Sequence, residues 1–220
     1  MLMQGVVFDP SSAASPDGSA TTVNLGRAND LLAAHLHGKY FEQCYRGNLY
    51  YASTVSGGVV IPIASTITPT YTIWNPAGSG KLCVPLVTLI GWRATTPALG
   101  SYVWHLTTNA GSNIATAGTF VAIGTPGVVV QNCNLGSGKV SAMFVATTGT
   151  TTLTPAATFY RDTGLNVLPT TAASVTSGWI WRDDWDGTGV IPPGNAIHLF
   201  GTTAIATTVT VSTVYAEIPL

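Results

Sequence analysis

Thr207-Thr208-Val209-Thr210-Val211-Ser212-Thr213-Val214-Tyr215-Ala216-Glu217-Ile218 runs for twelve residues without a glycine, proline or asparagine. Most of its side chains are β-branched or aromatic, which suits a pleated strand and disfavours a helix. Val209 and Val211 share one phase of the two-residue period, and Val214, Ala216 and Ile218 share the other. A β-bulge near Ser212-Thr213 would return all five to the core side. A closing strand of this length is expected in the middle of a sheet.

Outward from this strand, the two-residue period holds back to Tyr50. Candidate strands are Val59–Ala64, Thr70–Trp74, Leu82–Arg93, Tyr102–Thr107, Thr119–Ile123, Val128–Cys133, Val140–Thr147, a short piece at Thr152–Leu153, Gly178–Arg182 and Ala196–Phe200. Turn-forming clusters such as Asn75-Pro76-Ala77-Gly78-Ser79-Gly80 and Pro192-Pro193-Gly194-Asn195 separate them. Strands at this spacing, with no helices between, predict an all-β antiparallel sandwich or jelly roll. No fixed period repeats, which excludes a propeller or a β-helix.

The first 55 residues read differently. Val6-Val7-Phe8 is a short apolar segment, and Pro10 to Ser19 has linker composition, so residues 1–24 are expected to form an extended arm. One short helix is predicted from Ala28 to His37, capped by Asn29 or Asp30 and stopped by Gly38. Leu36 to Thr54 then concentrates aromatic and charged residues and reads as a hinge. The expected division is an arm, helix and hinge over 1–55 and a jelly-roll domain over 56–220.

Only 8% of the residues are charged, against about 25% in an ordinary soluble protein. Neutral polar residues fill the gap, with 33 Thr and 24 Gly. A surface so poor in charge is better suited to being covered by copies of itself or by a larger assembly than to standing alone. The net charge of −1 argues against nucleic acid, which requires a basic footprint. Acids are missing from Gln43 to Arg161 but outnumber Arg182 from Asp162 onward. Halves of opposite sign could meet within one fold or between subunits.

Chemistry-bearing motifs are sparse. Gly78-Ser79-Gly80-Lys81 lacks the first glycine and the Ser/Thr of a phosphate-binding loop, and reads as a hairpin turn. Asp183-Asp184-Trp185-Asp186-Gly187 has the acid density of a calcium loop without its alternating ligands, and reads as a solvated turn or an inter-subunit salt bridge. His35, His37, His105 and His198 have no nearby nucleophile elbow, so no enzyme, metal or cofactor is expected. Cys44, Cys83 and Cys133 are neither a disulfide framework nor a zinc site, and fit buried thiols in a reducing cytosol. The longest apolar run, Leu82 to Trp92, is too short to span a membrane. Trp179 and Trp181 share one strand face, with Trp185 just beyond: exposed, they would stack a sugar; buried, they would serve a core or a subunit contact.

The run His37-Gly38-Lys39-Tyr40-Phe41-Glu42-Gln43-Cys44-Tyr45-Arg46-Gly47-Asn48 is similar to segments of tailed-phage virion proteins, as is Asn75 to Lys81 before its apolar strand. The ending, from Pro193-Gly194-Asn195-Ala196-Ile197 through Tyr215-Ala216-Glu217-Ile218-Pro219, resembles the closing strands of trimeric jelly rolls shaped like the tumour-necrosis-factor and complement-head folds. The resemblance implies a homotrimeric head in the virion, assembled in the bacterial cytoplasm, with an arm gripping the major capsid protein or other virion proteins. It implies a capsid decoration, or cement, role. On this reading Tyr40, Phe41, Tyr45, Arg46, Tyr50 and Tyr51 contact the coat or a sister subunit. The leader is longer than a minimal cement protein needs, which leaves a spike, tail or adaptor place open. The alternative is a carbohydrate-binding receptor module using Trp179, Trp181 and Trp185.

Overall fold

A computed structural model describes residues 39–65, 69–94, 99–108, 129–146, 157–167, 180–205 and 207–220. The arm over 1–24, the helix over 28–37, Trp179 and the strands expected at 119–123 and 152–153 lie outside the described residues. The chain divides into two compact units, Met1–Phe41 and Glu42–Leu220, and the second contains every strand that follows.

The elements in order are α1 (Phe41–Tyr45), β1 (Leu49–Ser53), β2 (Val59–Val60), β3 (Tyr71–Asn75), β4 (Lys81–Ala94), β5 (Gly100–Thr108), β6 (Val129–Asn132), β7 (Phe144–Ala146), β8 (Thr158–Val167), β9 (Ile180–Asp184), β10 (Asn195–Gly201) and β11 (Thr208–Pro219). Two antiparallel sheets pack as a sandwich. The first runs β6-β1-β11-β4-β9, with β2 also pairing to β11, and the second runs β7-β3-β10-β5-β8. Set aside the short β2, β6 and β7, and the first and last strands lie side by side in one sheet while the second and second-to-last lie side by side in the other. That nesting is jelly-roll order.

β11 takes the central place its length predicted, between β1 and β4. Its bulge is not where the sequence placed it. Val209, Val211, Thr213 and Tyr215 keep one unbroken phase toward the core. Two register shifts lie in the partner: Arg93 is extra between the partners of Thr208 and Val209, and, since Val214 pairs with Val87 and Tyr215 with Pro85, Leu86 is extra near the centre. Pro85 has no N–H for the ladder, and the Leu86 carbonyl turns to accept the Trp185 N–H at 3.0 Å. Val214 and Ile218 therefore remain on the outer face.

Two strands were not expected. β1 lies inside the stretch read as a hinge and pairs along its length with both β11 and β6, so the sandwich begins before residue 56. β8 contains Arg161, Asp162 and Gly164, which hide its period. The expected hairpin at Gly78-Ser79-Gly80-Lys81 is instead a corner between sheets, because β3 and β4 belong to different ones. Asn75 braces it, donating from Nδ2 to the carbonyls of Lys81 and Ile191 at 2.8 Å each.

The core fills the space between the sheets. β11 and β1 contribute Val209, Val211, Tyr215, Tyr50 and Ala52; β3, β5 and β10 answer with Tyr71, Ile73, Tyr102, Trp104, Ile197 and Leu199. A polar seam threads it. The Trp185 Nε1–H donates to Thr88 Oγ1 at 3.2 Å, Thr88 and Thr213 hydroxyls are 3.1 Å apart, and the Tyr71 hydroxyl donates to Thr213 Oγ1 at 2.9 Å. These groups satisfy one another, as buried polar atoms must. On the far side of the second sheet His198 is fully buried between Thr72 Oγ1 (2.8 Å from Nδ1) and Thr107 Oγ1 (2.9 Å from Nε2).

Candidate assembly surface

Much of the outer face of the first sheet is apolar where a solvated antiparallel sheet would be polar. The registers lay its side chains out in rows. Tyr51 of β1, Val214 of β11 and Val87 of β4 form one row, which ends at Asp184 of β9. Ser53, Ser212 and Leu89 form the next, ending at Arg182. Leu49 and Ala216, both already buried, lie with Val84 on the other side, followed by Ile218 opposite Leu82. Leu89 is 38% and Ile218 47% exposed, and Val84, Val87 and Val214 are half-buried.

Polar pairs border this centre on two sides. On β9, Arg182 Nε donates to both Asp184 oxygens at 3.0 and 2.9 Å. Toward β6, the Tyr51 hydroxyl donates to Gln131 Oε1 at 2.6 Å. An apolar centre with a polar border is the anatomy of a subunit interface. The signal for this apolar strip was present in β4, whose run Leu82 to Trp92 is apolar on nearly every residue rather than every second one. Strands read that way when both faces are covered.

The aromatic hinge separates into two groups. α1 carries Phe41 and Tyr45 one turn apart, 43% and 50% exposed. Tyr40 is half-buried with the Lys39 ammonium 5.3 Å from its ring centre. Arg46 is half-buried, and its carbonyl accepts the Lys139 ammonium at 2.6 Å. Tyr50 departs from the expectation: it is 2% exposed, stacked on Tyr215 with ring centres 5.9 Å apart. Its alternation in β1 turns it inward, so it serves the core and not a partner, whereas Tyr51 faces outward.

Of the tryptophans considered for a sugar platform, Trp185 is not available to one. Trp185 is fully buried, 5.2 Å from the Trp104 ring and under the Arg161 guanidinium at 4.4 Å. Trp181 is 37% exposed and its Nε1–H donates to the Thr163 carbonyl at 3.2 Å. Trp179 lies outside the described residues.

The acid cluster separates in the same way. Asp183 is buried, accepting from Trp104 Nε1 at 2.8 Å and from the Arg161 guanidinium. Burial pushes its carboxyl up, against the pull of those two donors. Asp184 pairs with Arg182 on the surface. Asp186 and Gly187 both take positive φ and make the tight turn that the Thr188 N–H closes onto the Trp185 carbonyl at 2.8 Å. Among the described residues no three metal-ligating side chains gather.

A second buried carboxylate, Glu217, holds the chain after β6 onto β11. It accepts from Lys81 Nζ at 2.6 Å, from the Ser141 hydroxyl at 2.5 Å and from the Ala142 N–H at 2.9 Å. Its bonds are all internal, and they brace the end of the sheet that bears the apolar face.

Comparison with protein families, with curated proteins and with solved structures finds no match to this chain.

Proposed function

We propose that this chain is a structural protein of a tailed-phage virion, which decorates and stabilises the capsid as a homotrimer. The observation that carries the reading is the apolar outer face of the first sheet. Leu82, Val84, Val87, Leu89, Val214 and Ile218 would be covered by sister copies, since obligate interfaces resemble a domain core cut in two. The scarcity of charge across the whole chain suits the same permanent assembly. α1 then presents Phe41 and Tyr45 to the coat protein, with Arg46 beside them and Tyr51 at the border of the subunit contact.

Co-sedimentation with empty phage heads tests the coat-binding half. The intact chain is expected to pellet with the heads, and a Tyr45→Ala/Arg46→Ala double variant to lose at least about tenfold in affinity, the loss expected from removing an aromatic and an arginine anchor. Unchanged pelleting of the double variant would remove α1 from the coat contact.

A further inference from the structure

We propose that Cys44 and Cys133 are an oxidation site that closes into an intramolecular disulfide, stapling the root of the N-terminal segment to the edge of the first sheet. The inference is independent of what the chain assembles with.

The two cysteines lie in segments bound together over several residues. α1 ends with the Gly47 N–H donating to the Cys44 carbonyl and the Asn48 N–H to the Gln43 carbonyl, both at 2.9 Å, with Gly47 at φ +70°. This fold-back lays residues 44–49 along the end of β6. The Asn132 side chain donates to the Gly47 carbonyl at 2.8 Å, and the Cys133 N–H to the Leu49 carbonyl at 2.9 Å. The Asn134 side chain donates to the Tyr45 carbonyl at 3.0 Å, and Lys139 Nζ to the Arg46 carbonyl at 2.6 Å. Cys44 and Cys133 are thus carried by two strips of chain that touch at several points, and both are half-buried rather than sealed in the core.

The Cys133 thiol is pushed up to about 11, by burial first and by the neighbouring Cys44 second. Cys83 is different: it is fully buried within the sandwich, and burial pushes its thiol up as well. What separates them is access: a small oxidant can reach the half-buried Cys44 and Cys133 but not Cys83. The expectation of three buried thiols holds for Cys83 alone.

The chemistry needs a small-molecule disulfide such as oxidised glutathione. The Cys44 thiolate attacks one of its sulfurs, forming a mixed disulfide and releasing one glutathione thiolate. Cys133 then gives up its proton to solvent and attacks the Cys44 sulfur, releasing the second glutathione. Two protein thiols are oxidised, one glutathione disulfide is reduced, and no other reactant is required. In a reducing cytosol the pair stays open; in an oxidising medium it closes. The Asn134 and Lys139 bonds that now join the two strips are exposed, and exposed bonds exchange readily with water. A covalent bridge makes the junction permanent.

The test incubates the reduced full-length chain with glutathione disulfide near pH 8, quenches with an alkylating agent, and reads intact mass and a proteolytic map. The expected product is lighter than the reduced chain by about 2 Da before alkylation, yields a Cys44–Cys133 linked peptide, and takes up a single alkyl group, at Cys83, only after unfolding. Cys44→Ser and Cys133→Ser, each folded by circular dichroism, are expected to lose the linked peptide. A persistent glutathione adduct on Cys44, or a Cys44-linked dimer as the main product, would overturn the proposal.

Discussion

Asp183→Ala is expected to cost about 3–5 kcal/mol of folding stability, measured by urea unfolding, the range found when one partner of a buried ion pair is removed. The carboxylate joins three elements. Trp104 on β5 and Arg161 on β8 both donate to it, and β9 supplies it from the opposite sheet. Its loss leaves the fully buried indole N–H of Trp104 without an acceptor and Arg161 without its counter-ion beneath the sandwich edge. Arg161 retains 23% exposure of its side chain and can draw in water, which favours the lower part of the range. Asp183→Asn separates charge from hydrogen bonding. The amide oxygen can still accept from Trp104, and burial already disfavours the ionised carboxylate. The asparagine variant is therefore expected to lose only about 1–2 kcal/mol, the cost of a charge-assisted bond reduced to a neutral one. A loss below about 1 kcal/mol for the alanine variant would show that the β8–β9 edge is held by packing alone.

Acid is expected to weaken the fold through His198. Burial holds its imidazole neutral down to about pH 3, whereas the unfolded chain takes up the proton near 6.5. Between those values the unfolded state binds more protons, so stability is fully present above pH 6.5 and falls as the pH drops toward 3. The slope for one such group is about 1.4 kcal/mol per pH unit, so roughly 3 kcal/mol is lost by pH 4.5. His105, the cross-strand partner of His198, is lowered by burial too and adds in the same direction. The neutral ring accepts from one flanking threonine and donates to the other; protonation turns both nitrogens into donors and forces both hydroxyls to accept. His198→Gln preserves one donor and one acceptor without the titration. Its stability curve should be flatter between pH 4.5 and 6.5 by the full slope of one group. An unaltered slope would place the acid sensitivity elsewhere.

The sandwich was legible because its strands are long and its turns are marked by glycine and proline. β11, β10 and β4 begin and end within a residue or two of the bounds expected for them. What escaped depends on partners distant in sequence. β1 sits among aromatic and charged residues that, read locally, look like a hinge; only its pairing with β11 makes it a core strand and turns Tyr50 inward. Arg161 and Asp162 disguise β8, because nothing local reveals that Arg161 is to meet Asp183. The bulge was placed on the wrong strand for a related reason. The phase change in β11 is real in the sequence, but Val214 and Ile218 belong outside, and the irregularity follows Pro85 in the neighbouring strand. The outer apolar face was likewise visible in β4 as a run without alternation, and its extent became clear once β11 and β1 were aligned beside it.

The solution mass of the chain and of its Val214→Asp variant, measured by light scattering under reducing conditions, tests the central claim most directly. Val214 lies in the middle row of the apolar face, pointing away from the core, so an aspartate there leaves the sandwich intact but places an unpaired charge in the proposed interface. The expected mass is about 68 kDa for the unaltered chain, three copies of 22.7 kDa, and that of a single copy for the variant, with both showing the same far-ultraviolet spectrum. An unaltered chain that runs as a 22.7 kDa monomer, or a folded variant that keeps the full assembly mass, would contradict it.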